Sequence, residues 1–308
     1  MASFASTYLL TPIIAMKLRK SGIVGHDMNK KSHPELPSLG GIAITAGFVF
    51  AMLLNVAAYK NIQLLAAMTT ILVITIIGLV DDLFDTSQRT KAILPMLAAM
   101  PLMAVNAGRA SMSLPFIGPV QLGILYPLVL LPIGITGAAN AVNMLAGLNG
   151  LEAGMGIVMH ATVLVTSLAI MAVHPEAIWS ALISASILGA LLAFLRYNWY
   201  PAKVFIGDVG TLSIGGALAV AVILGNMEKL GLILIIPYLF ELGLKAATKF
   251  KGQSFGFETE DGKLDSKSVN SLTHVVMKAG RFTEPQVVLI LIGVEAVFGL
   301  LGLISFGV

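Results

Sequence analysis

The chain contains no cysteine. Disulfides, thiolate metal sites, a cysteine nucleophile and palmitoylation are excluded with it. Charge is scarce: Asp, Glu, Lys and Arg make up 11% of 308 residues, against about 25% in a soluble domain. The net charge of +3 gives no basic surface that would call for nucleic acid. The five histidines lack metal-ligand spacing, which argues against zinc. No internal repeat or low-complexity segment is present. What remains is hydrocarbon, with 57% apolar residues and a mean hydropathy of +0.90. Such a chain is an integral membrane protein, read here as one domain over 1–308.

Runs that span a bilayer, or nearly so, fall at 3–16, 39–58, 65–82, 92–105, 122–139, 153–173, 176–195, 206–226, 230–248 and 286–305. Taking about 20 residues as the guide, these predict an all-α polytopic protein with about ten transmembrane helices. The first run has no basic residue before it and KLRK after it. A cleaved signal peptide has the opposite order, so the run is expected to be an uncleaved anchor with its N-terminus outside. Alternating sides from there puts 16 Lys and Arg inside and three, Lys60, Arg109 and Lys229, outside. That bias predicts a multi-pass cell-membrane protein with both termini extracellular. Residues 106–123 alternate weakly around Gly118-Pro119 and predict a short outer β-hairpin. In 251–280, Val269, Leu272, Val275, Val276 and Ala279 share a helical face before Gly280, which predicts an amphipathic helix on the cytoplasmic membrane surface.

With these sides assigned, the polar clusters all fall on the inner face. Asp81, Asp82 and Asp85 end the third run, where ILVITIIGLVDDLFD passes from hydrocarbon to carboxylate. They could mark a helix end and pair with Arg89 or Lys91. Three like charges within five residues, however, repel unless something neutralises them. Asp81 and Asp85, one turn apart, suit magnesium or a bound cationic group. NAVNMLAGLNGLEAG (140–154) holds Asn140, Asn143, Asn149, Gly147 and Glu152. Its Asn and Gly residues could serve turns and packing, or offer amide oxygens and backbone N–H groups to a phosphate or nucleotide. Asp208 is either a helix N-cap or a hard-oxygen metal ligand. Phe205 could be interfacial packing. Hard carboxylates, amides, lysines and glycines meeting at a membrane edge fit magnesium and a diphosphate.

LVDDLFDTSQRTK, NAVNMLAGLNGLEAG and YNWYPAKVFIGDVGTL, in this order and preceded by DMNKKSHPELPSLGG, resemble the polyprenyl-phosphate N-acetylhexosamine-1-phosphate transferases. The resemblance runs from about Gly25 to the last helix. LAGLNGLEAG and YNWYPAKVFIGD look most like the dolichyl-phosphate N-acetylglucosamine-phosphotransferase branch. The muramyl-pentapeptide branch usually has Asp where this chain has Ala146 and Asn149, and a His-rich inner loop where this chain has only His274. The eukaryotic Arg-His-Arg stretch of that loop is also missing, and the compact loop points to an archaeal member.

The resemblance implies transfer of N-acetylglucosamine-1-phosphate from UDP-GlcNAc to polyprenyl phosphate at the cytoplasmic face. It implies Mg²⁺, with Mn²⁺ able to stand in, held by Asp208 and Asn143. Asp81, Asp82 and Lys91 would be catalytic: the aspartates toward the lipid phosphate, the lysine toward the diphosphate. Lys30, Asn140, Gly147, Asn149, Glu152, Phe205 and His274 would serve substrate binding. Phe205, Gly147 and Asn149 would hold the uridine, and Glu152 has no definite role. For the sugar, Gln253, Ser254, Asn270 and His274 would supply hydrogen bonds, and Phe255 and Phe257 an apolar surface. The partners are the two substrates and the bilayer, with no nucleic acid, and a homodimer is compatible. Two rivals exist. A DDxxD prenyltransferase should carry a second Asp-rich motif. A transporter should carry broken helices with charges near the midplane, where only Glu241 and Glu295 are expected to be buried.

Overall fold

The computed structural model describes the chain apart from Asp85, Arg109, Ala110 and 115–117, and apart from the side chains of Gln88, Arg89, Ala92, 111–114 and 118–119. The expectations for Asp85 and Arg109, and the paired face of Asp81 and Asp85, lie outside the described residues. The chain is mostly helical. Among the described residues six helices are long and apolar enough to cross a membrane, or seven if one bent pair counts as a single span. Three of the ten expected runs fall short of that standard. α1 (Ala2–Lys20) carries Lys17, Arg19 and Lys20 in its last turn. The fourth run breaks into α4 (Gln88–Ile93), a 3₁₀ segment (Leu94–Ala99) and α5 (Met100–Ala104). Pro95 and Pro101 account for the breaks, because each lacks an N–H and its ring crowds the preceding turn. The eighth run forms α9 (Asp208–Leu224), of 17 residues.

The other long helices are α2 (Gly41–Tyr59), α3 (Ile62–Phe84), α7 (Leu151–Ile170), α8 (Ala177–Asn198) and α13 (Glu284–Ser305). α6 (Leu131–Met144) continues a π-helical segment at Tyr126–Leu130. α10 (Glu228–Leu234) and α11 (Ile236–Ala247) bend by 52° at Ile235, with Pro237 in the first turn beyond the break. α9 is the axis of the bundle. Every residue from Val209 to Leu224 is buried, and α2, α3, α6, α7, α8 and α10 pack around it. A helix apolar on all sides belongs in a core, and small residues allow the close approach. A Cβ on Gly215 would lie 2.1 Å from the Ala138 carbonyl oxygen.

Among the described residues three two-stranded ribbons complete the fold. β1 (Val24–His26) pairs with β2 (Glu35–Pro37), which the sequence reading did not anticipate. β3 (Ser111–Leu114) pairs antiparallel with β4 (Gly118–Gln121), so Gly118-Pro119 lies in the second strand and not in the turn. β5 (Phe257–Glu258) pairs with β6 (Leu264–Asp265). The amphipathic helix is shorter than expected: α12 (Leu272–Ala279) begins after Val269. It buries Thr273, His274 and Met277 and leaves Val275 exposed, so its polar face packs on protein and part of the expected apolar face stays outward. The reason lies outside the helix. Glu241 of α11 accepts hydrogen bonds from the Ser271 hydroxyl and the Leu272 N–H and sets the helix's rotation. Gly280 follows in extended backbone, without a left-handed cap.

Candidate functional site

The end of α3 meets the start of α9. Asp82 accepts from the N–H of Asp208 (2.9 Å) with one carboxylate oxygen and from that of Val209 (2.8 Å) with the other. Those are orphan donors of the first helical turn, so Asp82 caps α9 from a neighbouring helix. Asp208 itself is the first helical residue, after Gly207. It is therefore not the side-chain cap that the sequence also allowed. Gly207 has φ +72°, and a Cβ there would stand 2.8 Å from Asp82 Oδ2. Both facts require glycine.

Asp81, one residue earlier, faces differently. It accepts from the N–H and hydroxyl of Thr86 and pairs with Lys91 Nζ at 2.8 Å. Lys91 lies in the single turn and a half of α4 and also reaches Asp208 Oδ2, at 3.6 Å. Its ammonium thus sits between two carboxylates from two helices. Asn143, in the last turn of α6, accepts from Thr211 Oγ1 at 3.0 Å, and Thr211 lies one turn below Asp208. Asn140 and Asn143 are helical, not loop residues as expected. Asn140 donates to the Thr136 carbonyl of its own helix and does not line the cleft.

A cleft of about 220 Å³ opens beside this corner. Asp208, Thr211, Phe205, Gly147 and Glu152 line it, together with Asp27, Met28 and Asn29 from the β1–β2 loop. Glu152, left without a role by the sequence, is buried and accepts from the Gly147 N–H at 2.6 Å. From the first turn of α7 it holds the short loop 145–150 in shape. Gly147 has φ +144°, and a Cβ there would press on the Phe255 ring at 2.9 Å.

The opposite wall is a buried polar cluster that sequence reasoning met only in part. Lys30 Nζ contacts Asp27 Oδ2 at 2.5 Å and Glu284 Oε2 at 2.8 Å, and lies 4.7 Å from the centre of the Tyr200 ring. Burial works against the ammonium, but the charges of Glu284 and Asp27 outweigh it and hold Lys30 above its ordinary pKa. Asn149 donates from Nδ2 to Asp27 (3.1 Å) and from its N–H to Glu284 Oε1 (2.8 Å), and accepts from the Ala202 N–H (2.8 Å). Its side chain is thus engaged within the protein. Asn29 ties loop 145–150 to the long loop, donating to Gly147 O and accepting from Gly256 N–H. Asp27, Asn29 and Glu284 were not singled out from sequence. The i,i+3 spacing of Asp27 and Lys30 was a signal that could have been read; for Glu284 there was none.

Beyond Phe255 the long loop lines a second recess of about 470 Å³ with Met28, Gln253, Phe257, Asn270 and His274. His274 accepts at Nδ1 from Asn270 N–H and donates from Nε2 to Phe255 O, and one neutral tautomer satisfies both. Ser254 bonds Lys245 and the Met144 carbonyl. Of the expected sugar contacts, His274 and Ser254 are therefore occupied in holding the loop. On the other side of Asn143, an apolar groove of about 360 Å³ runs between α6, α9 and the α10–α11 bend. It extends from Met144 and Leu242 to Tyr126 and Glu228.

The donor set fits magnesium. Asp208 and Asn143 both offer hard oxygens and are linked through Thr211, which bonds Asn143 and stands one turn from Asp208, and a magnesium ion that shares a diphosphate and keeps waters needs few protein ligands. Among the described residues no group of three His, Cys, Asp or Glu forms a closed metal cage.

Comparison with known proteins gives a consistent result. The profile described as glycosyl transferase family 4 matches residues 64–226. A Saccharolobus solfataricus protein is 42% identical over 98% of this chain and 94% of its own length, and bears the provisional name UDP-N-acetylglucosamine–dolichyl-phosphate N-acetylglucosaminephosphotransferase. The Dictyostelium discoideum protein with that name, not provisional, is 28% identical over 98% of this chain and 85% of its own. A phospho-N-acetylmuramoyl-pentapeptide-transferase of Shouchella clausii is 36% identical over 76% of this chain and 75% of its own.

Proposed function

The chain belongs to glycosyl transferase family 4, and we propose that it transfers N-acetylglucosamine-1-phosphate from UDP-GlcNAc to a polyprenyl phosphate of the dolichyl type, releasing UMP. One observation carries the reading. Asp208 lines the polar cleft, Lys91 joins it to Asp81, and Asn143, bonded to the cleft-lining Thr211, is next in sequence to Met144, which lines the apolar groove. A water-soluble diphosphate and a lipid phosphate can meet only in such a place. Family membership leaves the prenyltransferase and transporter readings without support. The one broken span, α10–α11, borders the groove and carries Glu228 and Lys245 near its two ends.

In the proposed reaction an oxygen of the lipid phosphate bonds to the β-phosphorus of UDP-GlcNAc. The bond from that phosphorus to the bridging oxygen breaks, and UMP carries the electron pair away. Phosphoryl transfer needs positioning and charge stabilisation more than covalent help. A phosphate monoester is mostly ionised at neutral pH, so no side chain has to take its proton. Asp81 already accepts from Thr86 and Lys91, which suits it to holding the lysine, not to acting as a base. Lys91 meets the negative charge gathering on the diphosphate. Asp82 holds the start of α9 and with it Asp208. Asp208 and Asn143 would hold Mg²⁺, which supplies charge neutralisation on the diphosphate oxygens. Phe205 and loop 145–150 face the uridine, and the prenyl chain lies in the groove.

The charge bias supports placing this end of the bundle in the cytoplasm. α1 points toward that end and α13 away from it, which supports the reading that both termini lie outside. Counting α1, the 88–104 segment and α9 with the long helices gives the ten-span reading. The test is a panel of UDP-sugars and polyprenyl phosphates offered to the purified protein in lipid. Selective consumption of UDP-GlcNAc with a polyprenyl phosphate supports the proposal; consumption of neither defeats it.

A further inference from the structure

We infer that Glu284 is the positioning residue that sets affinity for the nucleotide donor, acting through Lys30 and Asn149 without touching substrate. The inference rests on reading the cleft as a uridine-nucleotide site.

Glu284 is on the last helix and is absent from the cleft lining. Its carboxylate is 4% exposed. One oxygen accepts from the N–H of Asn149 at 2.8 Å, the other pairs with Lys30 at 2.8 Å. Asn149 follows Gly147 and Leu148, and Lys30 follows Asp27, Met28 and Asn29; all five of these line the cleft. Two loops remote from each other in sequence are therefore joined through one carboxylate. The same network uses up the Asn149 side chain, on Asp27 and Ala202. Recognition of the base then falls to the loops' backbone groups and to the Phe205 ring. Backbone recognition depends on where the loops are held, and Glu284 holds both.

The phosphate-handling residues are placed otherwise. Asp81, Asp82 and Asp208 belong to α3 and α9, and among the described residues their hydrogen bonds and ion pairs do not reach Glu284, Lys30 or Asn149. A change at Glu284 should therefore loosen nucleotide binding and leave turnover at saturating donor alone. Glu284→Gln keeps an acceptor for Asn149 but turns an NH₂ group toward the Lys30 ammonium. Lys30→Met removes that conflict.

The experiment measures UMP affinity by calorimetry, and kcat and KM for donor and lipid, in the intact protein in lipid. The variants are Glu284→Gln, Glu284→Asp, Lys30→Met and the Glu284→Gln/Lys30→Met double. The expected result is an approximately tenfold weaker UMP Kd and donor KM for Glu284→Gln, the size of one lost charge-assisted hydrogen bond. The kcat and the lipid KM should stay within about twofold, and the double variant should be no weaker than the worse single. Glu284→Asp keeps the charge but shortens the reach. It should fold even if Glu284→Gln does not, and show the same shift in smaller measure. Unchanged UMP affinity in either variant overturns the inference. So does a fall in kcat without a change in Kd, or strict additivity in the double. If the wild type itself does not bind UMP, the reading of the cleft falls, and the inference with it.

Discussion

The two walls of the cleft are built from the same kinds of residue and differ in how fully those residues are satisfied. At the Asp208 wall, carboxylates stand on rigid helices and share one lysine. Asp208 and Lys91 keep 26% and 22% of their side-chain surface exposed. At the Glu284 wall, loops are drawn together by a lysine and two carboxylates, with Asp27 and Glu284 at 1% and 4%. The first arrangement leaves charge available for a ligand. The second uses its charge internally, and breaking a buried pair is costly. Exposure thus separates the residues proposed to do chemistry from those proposed to hold them, where residue type alone does not.

The largest expected effect is at Asp208. Asp208→Ala should lower turnover by at least about 100-fold, the scale of a lost group that stabilises the transition state. Thermal unfolding should change little, because the carboxylate is partly exposed and caps nothing. A comparable loss of stability would erase the distinction between the walls. Chelation should act the same way on the wild type: activity lost in EDTA, restored by Mg²⁺, and poorly restored by the larger and less octahedral Ca²⁺. Full activity in EDTA would remove the metal from this wall.

Lys91→Gln comes next, with a fall of roughly 100-fold in turnover and normal folding if the lysine meets diphosphate charge. A surface lysine would cost only a few tenths of a kcal/mol in stability and no turnover. Asp82→Ala sharpens the contrast from within the same wall. Losing a helix cap costs about 1–2 kcal/mol, so this variant, unlike Asp208→Ala, should unfold at lower temperature. Equal melting of the two would refute the capping role.

The smallest effect concerns pH at the Glu284 wall. Lys30 is held above its ordinary pKa. Its contribution to stability is therefore fully present below the unfolded-state value near 10.5 and is lost as pH rises through the higher folded-state value. Lys30→Met should be less stable than wild type at pH 8, and the gap should narrow in strongly alkaline solution. A gap independent of pH would mean that Lys30 serves through packing alone.

Much of the first wall was legible in the sequence. Asp81, Lys91, Asn143 and Asp208 are recognisable by residue type at the ends of apolar runs, where an ionisable group needs a reason to be. The second wall was not. Lys30 pairs with a residue 254 positions away, and Asn149 with others 122 and 135 away; no local pattern encodes such contacts. Asp82 shows an intermediate case: the resemblance assigned it to the lipid phosphate, and in the structure its two oxygens cap α9. Seven of the ten expected runs appear as spans among the described residues, counting the bent pair as one, and the breaks were missed although Pro95, Pro101 and Pro237 announced them. α12 was found but drawn too long, because the buried Glu241 that holds its first turn stands on another helix.

The central claim is that phosphorus travels with the sugar. The direct measurement follows UDP-GlcNAc labelled in its β-phosphate, incubated with the purified protein and polyprenyl phosphate in lipid. The account predicts that the label enters the lipid product while one UMP is released for each lipid modified. Release of labelled UDP, with unlabelled sugar on the lipid, would contradict it.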